Sequence, residues 1–335
     1  MSIPESSIDF SRYGVPTTVA ERQIGFFIPD TFAMLPFISA LEPLRAANRI
    51  SGQALYSWKL LGTGADYAFA NNAMPFALDG KITDSGKLDR LIVCGPHEPH
   101  RYNDPKAIRA LRQWAQRGTQ LGSLDTGSHL LAMAELIKQR RCTIHWENLP
   151  GFREAFPGVN ATSELYEIDD HLFTCAGGTA SLDMMLALVA QDHGKALAGQ
   201  LAELFISSGD RRPTDPQRRS IVERSGIHHP GLVSCIELME SNVEQPLGTA
   251  ELADMVNVSG RQLERLFKSY LQTTPTLYYQ QIRLKAGHEL LMQTTMSVLE
   301  VASATGFSSS DYFSRRFRSR FGVSPTEARK LFSNS

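Results

Sequence analysis

The stretch Q-L-G-S-L-D-T-G-S-H-L-L-A-M-A, 120–134, reads as a strand running into a helix through Asp125-Thr126-Gly127. A side chain on such a turn sits over backbone N–H groups at a helix start, where developing negative charge is stabilised, so it is a natural place for a nucleophile. Asp125 also suits a helix N-cap or a ligand contact, and one carboxylate can do both. A second stretch, G-F-S-S-S-D-Y-F-S-R-R-F-R-S-R-F-G-V-S-P at 306–325, turns Phe313 and Phe317 inward and leaves Arg315, Arg316, Arg318 and Arg320 outward. Guanidinium groups in that array suit phosphates and base edges.

That second stretch is one half of an internal repeat. Glu251 falls on Glu300, Ala253 on Ala302 and Ser259 on Ser308; after a one-residue insertion Leu263 falls on Phe313, Arg265 on Arg315, Phe267 on Phe317 and Pro275 on Pro325. Each copy has the punctuation of helix-turn-helix. Capping boxes are expected at Ser259–Gln262 and Ser297–Glu300, with turns at Asn257-Val258 and Thr305-Gly306 and a restart at Ser308. In the first copy Leu263, Leu266, Phe267, Tyr270 and Leu271 face inward, leaving Arg261, Glu264, Arg265 and Lys268 outward. Thr274-Pro275 and Ser324-Pro325 each start a further helix. The one from Pro275 to Met292 spans ~27 Å, a strut suited to set two recognition helices about one DNA turn, ~34 Å, apart. A solvated basic bundle would explain one such pattern; a duplicated one favours DNA binding.

The elements that position these residues fall into two classes. From Gln23 to Ile206 short apolar runs alternate with stretches of helical period, as in βα units around a largely parallel sheet. Strands are expected at 24–28, 57–63, 90–95, 120–125, 142–146, 163–168 and 171–177, and helices near 33–50, 104–118, 127–138, 181–191 and 195–206. The expected organisation is a disordered tail over 1–20, an α/β sandwich over 21–206, a linker over 207–227 and an all-α domain over 228–335. The linker begins with S-S-G-D-R-R-P-T-D-P-Q-R-R, which offers no large apolar side chain for a core.

Composition bounds the rest. With 34 Lys and Arg against 35 Asp and Glu the net charge is −1, which on its face argues against a nucleic-acid partner. The average hides two halves: residues 261–335 hold 11 basic against 5 acidic side chains, and residues 1–260 hold 23 against 30. Cys94, Cys142, Cys175 and Cys235 form no C-x-x-C pair, so neither a disulfide framework nor a thiolate zinc site is indicated, and no metal or cofactor is expected. Cys94 reads as a small buried hydrophobe. No signal peptide or run of 18 apolar residues is found, so the expected location is the cytoplasm, away from membranes.

Residues 228–335, and 306–325 above all, resemble the AraC/XylS transcriptional regulators. That resemblance implies base-facing positions at Arg261, Glu264 and Arg265 in the first recognition helix and at Ser310, Asp311 and Arg315 in the second. Lys268, Arg316 and Arg318 are then placed for phosphate. Residues 23–206 resemble the class I glutamine-amidotransferase-like superfamily, PfpI-type proteins included, a flavodoxin-like fold with a cysteine nucleophile at the elbow. Here Asp125 replaces that cysteine. By the same resemblance His145, in T-I-H-W, lies near the elbow and Glu42, in L-E-P-L-R-A-A-N, faces it, which implies a retained pocket without cysteine catalysis. Gly177-Gly178-Thr179 is either a plain strand-to-helix turn or a border of that pocket.

If Glu42, Asp125, His145 and Trp146 converge, two carboxylates beside an indole suit a small cation such as a quaternary amine or a guanidinium compound. The pairing of domains resembles the GlxA-like subfamily, and D-T-G at the elbow resembles regulators of glycine betaine or carnitine catabolism. The expectation is a non-enzymatic, effector-controlled transcription activator, a homodimer that binds double-stranded DNA and contacts RNA polymerase. The alternative is a hydrolase or amidase with an accessory DNA-binding domain.

Overall fold

In β1 (Arg22–Phe27) side chains alternate across the strand, so Ile24 and Phe26 enter one apolar core and Phe27 another. The computed structural model describes residues 10–16, 20–84, 86–209 and 211–333. The strands after β1 are β2 (Tyr56–Gly62), β3 (Tyr67–Phe69), β4 (Pro75–Ala77), β5 (Gly80–Lys81), β6 (Arg90–Cys94), β7 (Gln120–Leu124), β8 (Arg141–Thr143), β9 (Asn160–Thr162), β10 (Tyr166–Ile168) and β11 (Leu172–Cys175). Seven form one sheet in the order β10-β11-β7-β6-β1-β2-β5. All its pairings are parallel except that of β10 with β11. Helices α1 (Met34–Ser51), α2 (Pro105–Gln116), α3 (Gly127–Met133), α4 (Leu149–Ala155), α5 (Ala180–His193) and α6 (Lys195–Leu204) cover both faces. Residues of α1, α5 and α6 share a core with Ile92 and Cys94 of β6, and those of α2, α3 and α4 share one with Leu91 and Val93. The domain is a flavodoxin-like α/β/α sandwich.

Three expectations change here. The run 142–146 does not join the main sheet: β8 stops at Thr143 and pairs with β9 instead. The Thr143 N–H donates to Thr174 Oγ1 at 2.9 Å and its carbonyl accepts from Ser128 Oγ at 2.6 Å, so side chains take the bonds a ladder would need. His145 and Trp146 consequently stand on a loop. In the expected tail, Phe10–Tyr13 form a 3-10 turn, and Asn48 Nδ2 donates to Gly14 O at 3.0 Å, which fastens this segment to α1. Residues 1–9 and 17–19 of that tail lie outside the described residues. The expected linker is also tied down at its start: Leu165 N donates to Pro213 O at 2.9 Å and Gln217 Nε2 to Glu164 O at 2.9 Å. The chain divides at Gln217, into Met1–Gln217 and Arg218–Ser335.

The second unit holds α7 (Ile221–Ser225), α8 (Pro230–Ser241), α9 (Thr249–Met255), α10 (Gly260–Leu271), α11 (Pro275–Gln293), α12 (Val298–Ala304), α13 (Ser310–Phe321) and α14 (Pro325–Ser333). Two cores divide it. Leu252, Leu263 and Phe267 pack with Leu232 and Ile236; Val301, Phe313 and Phe317 pack with Leu290 and Leu291. The strut α11 feeds both, through Tyr279 at one end and Leu284 to Met292 at the other. No helix among the described residues is long and apolar enough to cross a membrane.

Candidate functional site

Because β1, β6, β7 and β11 run parallel, their carboxyl ends meet on one edge of the sheet. The chain leaves β1 toward one face and β6 toward the other, which opens a crevice between those strands where α/β folds bind ligands. The loops there are laced together: Ala33 N donates to Gly95 O at 3.2 Å, His97 N to Thr31 O at 2.9 Å, and Thr126 Oγ1 to Pro96 O at 2.6 Å. Gly95 is required, since a Cβ would lie 2.1 Å from Thr126 Oγ1.

Asp125 occupies the turn between β7 and α3 in the left-handed region, φ 59°, a conformation a non-glycine residue holds only when its surroundings enforce it. Its N–H donates to Cys175 O at 3.0 Å. Its carboxylate lies so close to Gly177 that a Cβ there would be 2.6 Å from Oδ2, and Gly177 itself sits at φ 91°. The Gly177-Gly178 turn is thus a steric wall of the site. Asp125 is not the N-cap of α3; Thr126 holds that position. Burial raises the Asp125 carboxyl above the ordinary range; the charge of His145 and the Thr126 N–H oppose that, Glu147 adds to it, and His97 opposes it weakly.

His145 and Trp146 stand together, ring centroids 5.6 Å apart, and His145 Nδ1 lies 3.8 Å from Glu147 Oε2. Glu42 is engaged on its own helix. Its carboxylate takes Arg45 Nε at 3.0 Å and Nη2 at 2.7 Å, and Arg45 is in turn held by the Tyr13 carbonyl. The i,i+3 spacing on α1 makes this local pair. Glu147 is the second carboxylate in the electrostatic neighbourhood of Asp125, with His97 facing it from the β6 loop. Both were missed: H-W-E is contiguous in sequence, whereas nothing local links His97 to the elbow. Cys94, Cys142 and Cys175 are buried with their thiols held protonated, Cys142 and Cys175 pushed up to about 12 chiefly by burial. Among the described residues no cluster of His, Cys, Asp or Glu could hold a metal.

The other candidate residues lie on α10 and α13. Ser259 Oγ accepts Gln262 N at 3.3 Å, and Ser309 Oγ accepts Tyr312 N at 3.2 Å. The second cap is therefore Ser309 instead of Ser308, which puts the extra residue of the repeat in the turn. Arg261, Glu264, Arg265, Lys268, Asp311, Arg315 and Arg318 are exposed, and Ser310 is half-buried. Arg316 differs: its guanidinium grips Gln280 Oε1 of α11, with Nε at 2.7 Å, while Gln280 Nε2 donates to Tyr312 OH at 2.8 Å. That network commits Arg316 Nε and Nη2 to bracing α13 against the strut, a structural role beside the phosphate contact expected for it.

Comparison with known proteins agrees with this division. Residues 26–191 match the DJ-1/PfpI family and residues 252–331 match a helix-turn-helix domain. The chain is 43% identical over 306 residues to the HTH-type transcriptional regulator CdhR of Pseudomonas aeruginosa, covering 91% of each. It is 40% identical over 318 residues to the HTH-type transcriptional regulator GbdR of the same species, covering 95% of this chain and 87% of that one. The HTH-type transcriptional regulator GlxA of Rhizobium meliloti is 35% identical over 310 residues, covering 92% of this chain and 96% of its own. A crystal structure of an AraC family transcriptional regulator from Pseudomonas putida shares the fold, with TM-score 0.51 and 24% identity over 55% of this chain and 99% of that one. The chain belongs to the family of HTH-type transcriptional regulators that join a DJ-1/PfpI domain to an AraC-type helix-turn-helix domain.

Proposed function

We propose that the chain is an effector-controlled transcription activator whose α/β domain binds a small cation, preferably a quaternary amine such as glycine betaine or carnitine. The carrying observation is Asp125: a carboxylate fixed in a left-handed turn and raised by burial, with Glu147 adding negative charge and the Trp146 indole against the neighbouring His145. A permanent cation would supply opposing positive charge, and the indole face adds cation–π attraction. Thermal denaturation of the full chain with glycine betaine, carnitine, dimethylglycine and arginine tests it. One of them should raise Tm in a concentration-dependent way, and a flat response to all four overturns the effector class.

DNA is engaged, in this reading, by Arg261, Glu264, Arg265, Ser310, Asp311 and Arg315 at base edges and by Lys268 and Arg318 at phosphates. The protein acts as a homodimer, since paired half-sites raise effective affinity, and contacts RNA polymerase. The ligand must bind the DNA-competent arrangement more tightly than the other, or it shifts nothing. It acts in the cytoplasm and is not an enzyme. The strained turn at Asp125 is the one observation that favours a hydrolase or amidase instead. Release of ammonia or cleavage of amides by the purified chain, lost in Asp125→Ala, would replace our reading.

A further inference from the structure

Resting on the effector reading of the Asp125 site, we propose that residues Arg211–Gln217 are a coupling strap, fastened to both loops that frame the site and continuous with the helix-turn-helix unit that begins at Arg218. At one end Gln217 Nε2 lies within hydrogen-bond distance of Thr143 Oγ1 at 3.0 Å, Ile144 O at 3.1 Å and Glu164 O at 2.9 Å. Ile144 immediately precedes His145 and Trp146. At the other end Arg211 Nη1 donates to Thr179 Oγ1 at 3.1 Å and lies 3.2 Å from Asp183 Oδ2. Thr179 closes the Gly177-Gly178 turn that packs against the Asp125 carboxylate. Between these ends Pro213 O accepts the Leu165 N–H at 2.9 Å and Pro216 bridges Glu164.

The fastening is polar and incomplete, as a movable part requires. An amide nitrogen has two hydrogens, and Gln217 Nε2 faces three acceptors, so it has alternative pairings. Gln217 Oε1 and Asp183 Oδ2 are buried without a hydrogen-bond partner, the Arg211 contact to Asp183 lacking hydrogen-bond geometry. Burial raises the Asp183 carboxyl and Arg211 partly offsets it, so release of the strap changes the charge balance of that pocket as well. A ligand that shifts His145 and Trp146 moves the Ile144 carbonyl, and one that presses on the Gly177 turn moves Thr179. Either shift changes how tightly the strap is held, and the next residue along the chain belongs to the DNA-binding unit.

The test uses the full chain, glycine betaine as probe and a duplex that the chain itself selects from a random pool. Betaine binding is measured by calorimetry, and duplex affinity by fluorescence anisotropy with and without saturating betaine. In the wild type the two duplex affinities should differ by about fivefold or more, the lower range of allosteric coupling. In Gln217→Ala and Arg211→Ala, with betaine still bound, the ratio should fall to within about twofold of one. Variants that bind betaine and keep the wild-type ratio overturn the strap. If the wild type binds no betaine, betaine fails as effector without bearing on the strap, which is then judged by amide hydrogen exchange. Gln217→Ala should then speed exchange of residues 143–146, and unchanged protection there overturns it.

Discussion

At the amino-terminal end of the sheet the Asp192 carboxylate receives Arg90 Nη2 at 2.8 Å and Tyr56 OH at 2.9 Å, with Arg22 Nη2 at 3.4 Å. Burial by itself raises this carboxyl, but the hydrogen bonds and charge of Arg90, joined by Tyr56 and Arg22, more than reverse it, and the group sits below the ordinary range. At the carboxyl end burial outweighs the opposing charge of His145, the Thr126 N–H and His97, and Asp125 sits above that range. One aspartate is held below the ordinary range by its partners and the other is raised above it. A carboxylate braced by guanidinium groups holds structure together, whereas a raised one in a crevice marks a candidate functional site. The same division runs through α13, where Arg316 is bound to Gln280 while Arg315 and Arg318 are exposed.

The contrast is broken most strongly at Asp192. Asp192→Ala leaves the buried Arg90 with Gln120 Oε1 but without its carboxylate, and should cost about 3–5 kcal/mol in the unfolding transition of the α/β unit. The double replacement Arg90→Met, Asp192→Leu should cost much less. Similar losses in both would mean that the pair is net stabilising and not merely interdependent.

Next in size is a buried histidine on α3, the helix that follows the elbow. Burial and His100 lower His129 from 6.5 to about 4. The unfolded chain therefore takes its proton first, so stability present above pH 6.5 is lost as pH falls toward 4. That shift is worth on the order of 3 kcal/mol, and His129→Leu should flatten the acid limb of a Tm-versus-pH curve in that window.

On DNA, Arg315→Ala should cost about 1–3 kcal/mol and relax preference at one base position. Arg318→Ala should weaken all sequences alike and lower the salt slope by about one. Arg316→Ala should lower Tm through the lost brace to α11 and leave the salt slope unchanged. A slope change in Arg316→Ala would restore it to the phosphate set.

The smallest expected effect is the most diagnostic. Asparagine tolerates the left-handed turn and can still accept the Thr126 N–H, so Asp125→Asn should raise Tm modestly at pH 7 while weakening betaine about tenfold or more. The sign follows from linkage. A raised carboxyl keeps its proton in the folded state after the unfolded chain has lost it, so stability falls as pH rises through the raised value and stays low above it. A lower Tm in Asp125→Asn would show that the protein satisfies this carboxylate after all.

The helix-turn-helix unit was readable almost residue by residue, because its determinants are local. A serine three positions before Gln262 or Glu300 is a cap, and apolar spacing of three and four sets the buried face wherever the helix lies. The main strands of the α/β unit were legible for the same reason, since alternation and β propensity act over a few residues. What failed was contact between distant segments. The pairing of Glu42 with Arg45 one turn away was not foreseen. His97 and Glu147 reach the neighbourhood of Asp125 only because β6 and β7 are adjacent and β8 stops early. Sequence by itself determined the two kinds of domain, the repeat, the elbow aspartate and the exposed arginines. Tertiary structure alone decided which charges were already paired, which loop bordered Asp125 and that residues 211–217 were fastened beside it, because pairing energies depend on distances that folding sets between residues far apart in the chain.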